Sequence, residues 1–203
     1  MIRVDIRSKS FGDTQVLGRF AFEIAPGETV AVLGPSGIGK STLLRIVAGL
    51  DDAFEGHVER PDRLAIVFQE PTLLPWRSAL QNLTLVHPGL SHEAAAGMLA
   101  KVGIADKAGL YPGQLSLGQQ RRLALARAFA GRPELLIMDE PFVSLDPGTA
   151  ETMLALTGRL IAECRPATLF VTHHRDEAVR LGSRIVALDG TPATIRPLGR
   201  TTG

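Results

Sequence analysis

The chain has 203 residues, 45% hydrophobic and 21% charged, which is the composition of a globular protein with one domain or a domain and a subdomain. Lysine and arginine number 22 against 21 acidic residues, and the net charge of +1 argues against a dedicated nucleic-acid-binding protein. The single cysteine, Cys164, excludes an internal disulfide, and we expect it as a buried, inert thiol in a reducing compartment. We expect a cytoplasmic protein, because no apolar run reaches the ~20 residues of a membrane span and charges interrupt the first residues, where a signal peptide is apolar.

Short β-branched segments alternate with helical periodicity along the chain, which predicts an α/β fold. Segments 2–7 and 20–24 alternate apolar and polar residues, as half-buried antiparallel strands do. Nearly continuous apolar runs predict buried parallel strands at 29–33, 64–68, 135–138, 168–171 and 184–188.

The middle of the chain has helical periodicity, especially after Ser116, and no strong strand signal. A mainly helical insertion into the α/β core is the simplest account of this difference. We therefore predict a single domain, 1–203, with a catalytic core at 1–71 and 131–203 and a helical subdomain at 72–130.

The stretch "GPSGIGKST" lies between a predicted strand and a predicted helix and matches the pattern G-x-x-x-x-G-K-[ST]. In such a loop the glycines let backbone N–H groups curl around the β-phosphate, Lys40 supplies a cation to the β- and γ-phosphates, and the Ser41 hydroxyl ligates Mg²⁺. The alternative, a chance glycine-rich turn, is disfavoured by the strand–loop–helix order. The predicted phosphate loop consists of Gly34, Pro35, Ser36, Gly37, Ile38, Gly39, Lys40, Ser41 and Thr42.

Two adjacent carboxylates, Asp139 and Glu140, follow the predicted strand 135–138. Two such charges at the end of a buried strand are unfavourable unless a cation or a proton-transfer role compensates. We predict that Asp139 holds Mg²⁺ and that Glu140 is the general base that polarises the water attacking the γ-phosphate. An ordinary acidic pair in a solvated turn is the alternative.

Because the chain has a phosphate loop, four further residues are candidates for the nucleotide site, although each alone is more often an ordinary loop or core residue. Gln69 follows a predicted strand, and its amide is expected to coordinate Mg²⁺ and orient water. His173 follows another strand and is expected to stabilise charge on the γ-phosphate. Asp146 lies in a turn that suits contact with a neighbouring subunit. Phe11 either stacks on adenine or packs in the core.

A second predicted anion site lies far along the chain, in "QLSLGQ" at 114–119. Ser116 suits a helix N-cap, and Gly118 lets a ligand approach the backbone at the start of the following helix. A complete phosphate loop and a second anion-binding helix start in one chain require an explanation.

The order of these motifs resembles that of the ATP-binding cassette (ABC) ATPases over nearly the whole chain. The markers are Phe11, "GPSGIGKST", Gln69 in "VFQEP", "LSLGQ", "LLIMDEP", "SLD" and "VTHHRDEA". A phosphate loop alone is shared with kinases and GTPases, and "LSLGQ" followed by "LLIMDEP" narrows the resemblance to this family. The chain departs from the family at Leu117, where glycine is most common, at His174, where an acidic residue is usual, and at Phe11, where Tyr or Trp is more frequent.

The resemblance implies a P-loop NTPase fold with a RecA-like core sheet, an N-terminal antiparallel β subdomain and an inserted α-helical subdomain. It also explains the second anion site. In the family, two subunits pair head to tail in the ATP state, so that Ser116, Gly118 and Gln119 of one subunit bind nucleotide held by the Lys40 loop of a homodimer partner or paired ABC subunit. Such a contact is isologous, and one twofold axis creates both shared sites.

The resemblance further implies that the chain hydrolyses Mg-ATP and is the motor subunit of a membrane transporter, on the inner face of the cell membrane. The sequence "LLPW" indicates an importer. Its partners are then an integral membrane permease and, indirectly, a substrate-binding protein, with no nucleic acid. The apolar cluster Leu73, Leu74 and Trp76 in "LLPW" either faces a partner or folds under the helical subdomain. The same short sequence resembles that of ATP-binding subunits of importers for nitrate, sulfonates, taurine and pyrimidine precursors of thiamine.

The alternative function is a non-transport ABC ATPase acting on ribosomes or DNA. Ribosome-acting relatives usually carry two cassettes and a charged linker, and DNA-repair relatives insert long coiled coils between the phosphate loop and the signature. Only about 75 residues separate those motifs here, and net charge is near neutral. An unrelated nucleotide kinase would explain neither "LSLGQ" nor the histidine after the strand.

Overall fold

The structure, a computed structural model, describes residues 1–200, and the strands among them form one sheet. The strands are β1 (Ile2–Phe11), β2 (Thr14–Leu17), β3 (Phe20–Ile24), β4 (Thr29–Leu33), β5 (Glu55–Glu59), β6 (Leu64–Val67), β7 (Leu135–Asp139), β8 (Ala167–Thr172), β9 (Arg184–Gly190) and β10 (Ala193–Arg200). The α-helices are α1 (Lys40–Ala48), α2 (Ala79–Thr84), α3 (His92–Lys101), α4 (Leu117–Ala130), α5 (Pro147–Cys164) and α6 (Arg175–Leu181). Short 3₁₀ turns lie at Ala105–Lys107 and Pro112–Gln114.

Residue contacts divide the chain into two compact units. The first unit comprises residues 1–66, 134–140 and the described chain from 165 onward, and the second comprises 67–133 and 141–164. The second unit therefore includes α5, which we expected in the catalytic core, because α5 packs on α4.

The first unit is built on the sheet, whose strand order is β3-β1-β2-β10-β9-β4-β8-β7-β6, with β5 paired to β1. As predicted, β1 and β3 are antiparallel. The alternation along β1 buries Ile2, Val4 and Ile6 on one face and exposes the residues between them. The predicted α/β architecture, with an antiparallel N-terminal part, is present in this unit.

Parallel pairing in the centre of the sheet positions the functional residues. Strand β4 pairs in parallel with β8 and β9, and β7 pairs in parallel with β8. Both β4 and β8 are buried on both faces, which explains their continuous apolar sequences. In the register, Leu33 lies opposite Thr172 and Asp139 lies opposite Val171. The loops after β4, β7 and β8 therefore leave the sheet at the same edge.

The second unit is helical. Helices α2, α3 and α4 contact one another, and their buried residues include Leu83, Leu99, Leu123 and Phe129. Ser78 caps α2 through a reciprocal capping box, in which its hydroxyl accepts from the backbone N–H of Gln81. Within residues 1–200, none of the helices has the length and apolar character that a membrane span requires.

Cys164 corrects a minor expectation, since it is half-buried at the end of α5 and not enclosed in a core. It lines a cavity of about 650 Å³ together with Met98 and Phe129. Burial still raises the pKa of its thiol, which keeps it protonated at neutral pH.

Candidate functional site

The phosphate loop joins the carboxyl end of β4 to the first turn of α1. Gly37 and Gly39 have φ angles of +79° and +106°, in the left-handed region that side chains disfavour. A Cβ on Gly34 would lie 2.9 Å from the carbonyl oxygen of Leu188, so a side chain does not fit there. Gly39 is the N-cap of α1 and has no side chain to satisfy the first-turn N–H groups. Those N–H groups are therefore available to an anion.

Lys40 begins α1 with its side chain directed back into the loop. Its Nζ donates to the carbonyl oxygens of Gly34 and Pro35 at 2.9 and 3.0 Å and lies 3.2 Å from Oε1 of Glu140. The side chain is only 5% exposed. This ammonium group is thus fixed among acceptors at the centre of the predicted phosphate site.

Glu140 links the phosphate loop to the strand edge. Its Oε2 lies 3.2 Å from Nδ1 of His173, while its backbone N–H donates to the carbonyl of Val171 at 3.0 Å. Glu140 adopts φ +44° immediately before Pro141, a strained backbone for a residue with a side chain. The strand ends thus bring Lys40, Glu140 and His173 into one chain of contacts, with the two basic side chains on different carboxylate oxygens.

Asp139 and Ser41 form a pair of oxygen ligands beside this chain of contacts. Burial raises the pKa of the Asp139 carboxyl, and a hydrogen bond with the Ser41 side chain opposes that rise. A half-buried carboxylate next to a hydroxyl is the type of oxygen donor set that Mg²⁺ prefers. These two residues therefore fit the predicted metal.

Phe11 ends β1 with its side chain 55% exposed, so the core-packing alternative is wrong. Nζ of Lys9 lies 4.5 Å from the centre of the Phe11 ring. Lys9 is itself buried, and it donates to Asp51 at 2.7 Å and to the carbonyl of Ala53 at 2.8 Å. Sequence reasoning missed Lys9, although a lysine two residues before an aromatic on a strand indicates that the two share a face.

The second unit carries the signature at the start of α4. Ser116 is the N-cap of α4, and its Oγ accepts from the backbone N–H of Gln119 at 3.3 Å. The Gln119 side chain in turn accepts from the backbone N–H of Ser116 at 2.9 Å. The prediction that Ser116 is the N-cap is confirmed, and the side chain of Gln119 is used to cap the first turn of α4. A Cβ on Gly118 would lie 3.3 Å from the Thr149 side chain, so Gly118 also serves packing within this unit.

Gln69 and Asp146 lie on exposed loops of the second unit. The Asp146 carboxylate accepts from the backbone N–H of Thr149 at 3.0 Å and so caps the first turn of α5, and hydrogen bonds from Thr149 lower the pKa of this carboxyl. Trp76 is 67% exposed, which excludes its folding under the helices of this unit. Leu74 is only half-buried, and its backbone N–H donates to Oδ1 of Asn82 while its carbonyl accepts from Nδ2 of the same side chain.

The predicted residues thus divide between the two units. The first unit contains Phe11, the phosphate loop, Asp139, Glu140 and His173, and the second contains Gln69, Ser116, Gly118, Gln119 and Asp146.

The motif order can be compared with known proteins, and residues 17–143 match the model of the family described as ABC transporter. The chain belongs to the ABC transporter family. Its sequence is 44% identical to the aliphatic sulfonates import ATP-binding protein SsuB 1 of Pseudomonas aeruginosa strain UCBPP-PA14, over 93% of this chain and 82% of that protein. It is 46% identical to SsuB of Granulibacter bethesdensis, over 89% of this chain and 76% of that protein. The resemblance inferred from the motifs is therefore confirmed.

Solved structures agree with this assignment. A dimeric post-hydrolysis structure of the ATP-binding cassette MJ0796 with ADP and Pi superimposes with a TM-score of 0.82 and 29% identity, covering 98% of this chain and 99% of that one. The predicted P-loop fold is confirmed. As an ABC ATP-binding subunit, the chain binds and hydrolyses ATP.

Proposed function

We propose that this chain is the motor subunit of an importer of organic sulfonates and that Lys40, Glu140 and His173 form its reaction centre. The observation that supports this reaction centre is that Lys40 and His173 each contact the carboxylate of Glu140 at 3.2 Å. The cargo class is supported by the names of relatives 44–46% identical to this chain.

In the proposed reaction, water attacks the γ-phosphorus of ATP, a proton of that water passes to the Glu140 carboxylate, and ADP leaves with the bond electrons. Glu140 is suited to this role because its backbone and both carboxylate oxygens are held in place. His173 is the proposed donor to the γ-phosphate, and the Lys40 ammonium exchanges loop carbonyls for phosphate oxygens.

Ser41, Asp139 and Gln69 are the residues that we propose to hold Mg²⁺, which would neutralise charge on the β- and γ-phosphates. The hydrogen bond between Ser41 and Asp139 supports the first two assignments. For Gln69, the support is its exposed position in the loop after β6.

Phe11 is the proposed stacking partner of adenine, since its ring is exposed at the end of β1. The signature residues Ser116 and Gly118 are proposed to contact the γ-phosphate bound by a partner subunit in a head-to-tail dimer. The Ser116 hydroxyl suits this role, because its oxygen accepts the capping bond while its hydrogen stays free to donate to phosphate. The dimeric state of the cassette MJ0796 supports this assembly.

The exposed Trp76 is the proposed contact with the integral membrane permease, because a large aromatic side chain on the surface suits a protein partner. This assembly would place the chain on the inner face of the cell membrane. A substrate-binding protein would then select the cargo, without direct contact with this subunit.

The Glu140→Gln variant tests the reaction centre and the dimer together. We expect hydrolysis to fall about 10²- to 10⁴-fold, since the base is lost, and a dimer to accumulate with Mg-ATP because the γ-phosphate persists. The measurements are steady-state hydrolysis and light scattering after size-exclusion chromatography. Glu134→Gln, at the other end of β7 on an exposed ion pair with Arg63, is the matched control and should behave as the wild type. A strictly monomeric Glu140→Gln protein at saturating ATP would contradict the dimer.

Growth of a strain lacking this chain tests the cargo. With an aliphatic sulfonate as the only sulfur source, we expect the wild-type chain to restore growth and Glu140→Gln to fail, while sulfate supports both strains equally. Normal growth of the deletion strain on sulfonates would refute the cargo class and leave the ATPase assignment intact.

A further inference from the structure

Arg121 is a buried cation in the second turn of α4. Its side chain is 7% exposed, and NH1 donates to the carbonyl oxygen of Pro141 at 2.5 Å. Its Nε has no hydrogen-bond partner among the described residues, and burial lowers the pKa of the guanidinium. A buried charge with an unpartnered donor is unfavourable for folding, which calls for a compensating role.

Binding of a ligand does not account for Arg121. The cavity that it lines with Pro141, Phe142 and Met153 has a volume of only about 10 Å³, about the space of one water molecule. The hydrogen bond to the Pro141 carbonyl is therefore the interaction to explain.

The other arginines of α4 show what is particular about Arg121. Arg122 donates to the carbonyl of Val102 at 2.8 Å, and Arg127 donates to the carbonyl of Thr72 at 2.8 Å. Both attach α4 to neighbouring loops of the same unit. Of these three arginines, only Arg121 donates to Pro141, the residue directly after Glu140.

The backbone at Glu140 needs such support. Its φ of +44° is strained for a residue with a side chain, and the following proline makes a helical or left-handed conformation less favourable still. The Val171 carbonyl fixes the peptide before Glu140, and Arg121 fixes the carbonyl after it. A strained residue held by hydrogen bonds on both sides keeps one orientation of its carboxylate.

We propose that Arg121 is a positioning residue for Glu140, and that α4 thereby links the signature to the general base. The inference depends on the proposed role of Glu140. Helix α4 begins at its N-cap Ser116, five residues and about 7 Å before Arg121, so one rigid helix carries both the γ-phosphate contact and the support of the base. Contact of Ser116 with nucleotide on a partner is thereby transmitted to the residue that activates water.

Arg121→Met tests the proposal by separating activity from stability. We expect kcat to fall about 10- to 100-fold, because misplacing a catalytic group by 1 Å has effects of this size. The KM for ATP should stay within about twofold, since Phe11 and Lys40 are unchanged. The melting temperature should stay equal or rise, because a desolvated charge is removed. Arg121→Lys, which keeps the charge and a donor, should restore part of the activity.

Arg122→Met is the matched control on the same helix. It removes a similar bond from arginine to a carbonyl, so we expect a lower melting temperature and an unchanged kcat. If Arg122→Met lowers kcat as much as Arg121→Met does, then any disturbance of α4 reduces activity, and the proposal is wrong. Should Arg121→Met fail to fold, Arg121→Leu takes its place, because it too removes the donor to the Pro141 carbonyl, and a leucine variant with the wild-type kcat would overturn the proposal.

The double variant Arg121→Met with Glu140→Gln shows whether Arg121 acts through the base. If it does, adding Arg121→Met to Glu140→Gln has no further effect on the residual rate. A further 10-fold loss would assign Arg121 to another step. If Glu140→Gln itself keeps full activity, the proposed base is wrong, whereas a full effect of Glu140→Gln with none of Arg121→Met refutes only the positioning role.

Discussion

The two helices that begin at predicted phosphate sites, α1 and α4, differ in how their first turns are satisfied. Gly39 caps α1 without a side chain, whereas Ser116 and Gln119 close a reciprocal capping box on α4. The first-turn N–H groups of α1 are thus uncommitted to side chains, while one at α4 is already bonded. We therefore propose that α1 holds the nucleotide, whereas α4 offers mainly a hydroxyl hydrogen to a phosphate held by another subunit.

The largest effect is expected at α1, from Lys40→Met. Each charged hydrogen bond to a phosphate contributes about 1.5–3 kcal/mol, and Lys40 is expected to make two, to the β- and γ-phosphates, so loss of the buried ammonium should weaken ATP binding at least about 10²-fold. Titration calorimetry on the monomer measures this. Lys107→Met, which removes a partly exposed lysine paired with Asp106, is the control and should bind ATP normally. Binding of ATP by Lys40→Met with wild-type affinity would remove the basis of the comparison.

At α4 we expect Ser116→Asp to separate capping from phosphate binding. Aspartate caps helices as well as serine, so the melting temperature should stay within about 2 °C of the wild type. Its negative charge, however, repels the γ-phosphate, so ATP-dependent dimerisation should weaken at least about tenfold while ATP binding to the monomer is unchanged. Analytical ultracentrifugation and calorimetry provide both values.

Ser91→Asp is the control for that variant, because Ser91 caps α3 in the same way by accepting from the backbone N–H of Ala94. It should change neither stability nor dimerisation. Undisturbed dimerisation of Ser116→Asp would show that the signature helix does not contact phosphate through this residue.

The same contrast explains what could be predicted from the sequence. The phosphate loop, the acidic pair at the carboxyl end of β7 and the N-cap Ser116 were identified because short local patterns encode them. Strand 29–33 was found for a similar reason, since burial on both faces produces a continuous apolar run. Strand β5, with the sequence "EGHVE", was missed because a polar strand with alternating exposed and half-buried residues, paired within residues 1–200 only to β1, lacks that pattern.

Contacts between segments that are distant in the chain could not be predicted from the sequence. That His173 and Lys40 both contact Glu140 follows from the parallel register of β4, β7 and β8, which no local pattern specifies. The support of the Pro141 carbonyl by Arg121 depends likewise on packing of α4, and sequence alone presents Arg121 as one more helical arginine.

The smallest effect concerns how the far end of α1 is held. The buried Lys9 ammonium, by its hydrogen bond, holds the pKa of Asp51 below its ordinary value of 3.8, and Asp51 lies in the loop that follows α1. Since folding favours the ionised carboxylate, this contribution is present above pH 3.8 and is lost as the pH falls through the lower pKa of the folded state.

Asp51→Asn should therefore lower the melting temperature at pH 7 by about 2–4 °C, the shift that about 1 kcal/mol produces in a chain of this length. The difference from wild type should shrink toward zero in acid, because the wild-type carboxyl is then protonated too. Thermal melts at a series of pH values measure it, with Asp106→Asn, on an exposed ion pair, as the control. A difference that persists unchanged in acid would mean that Asp51 holds the end of α1 through its backbone contacts and that the charge on Lys9 is not required there.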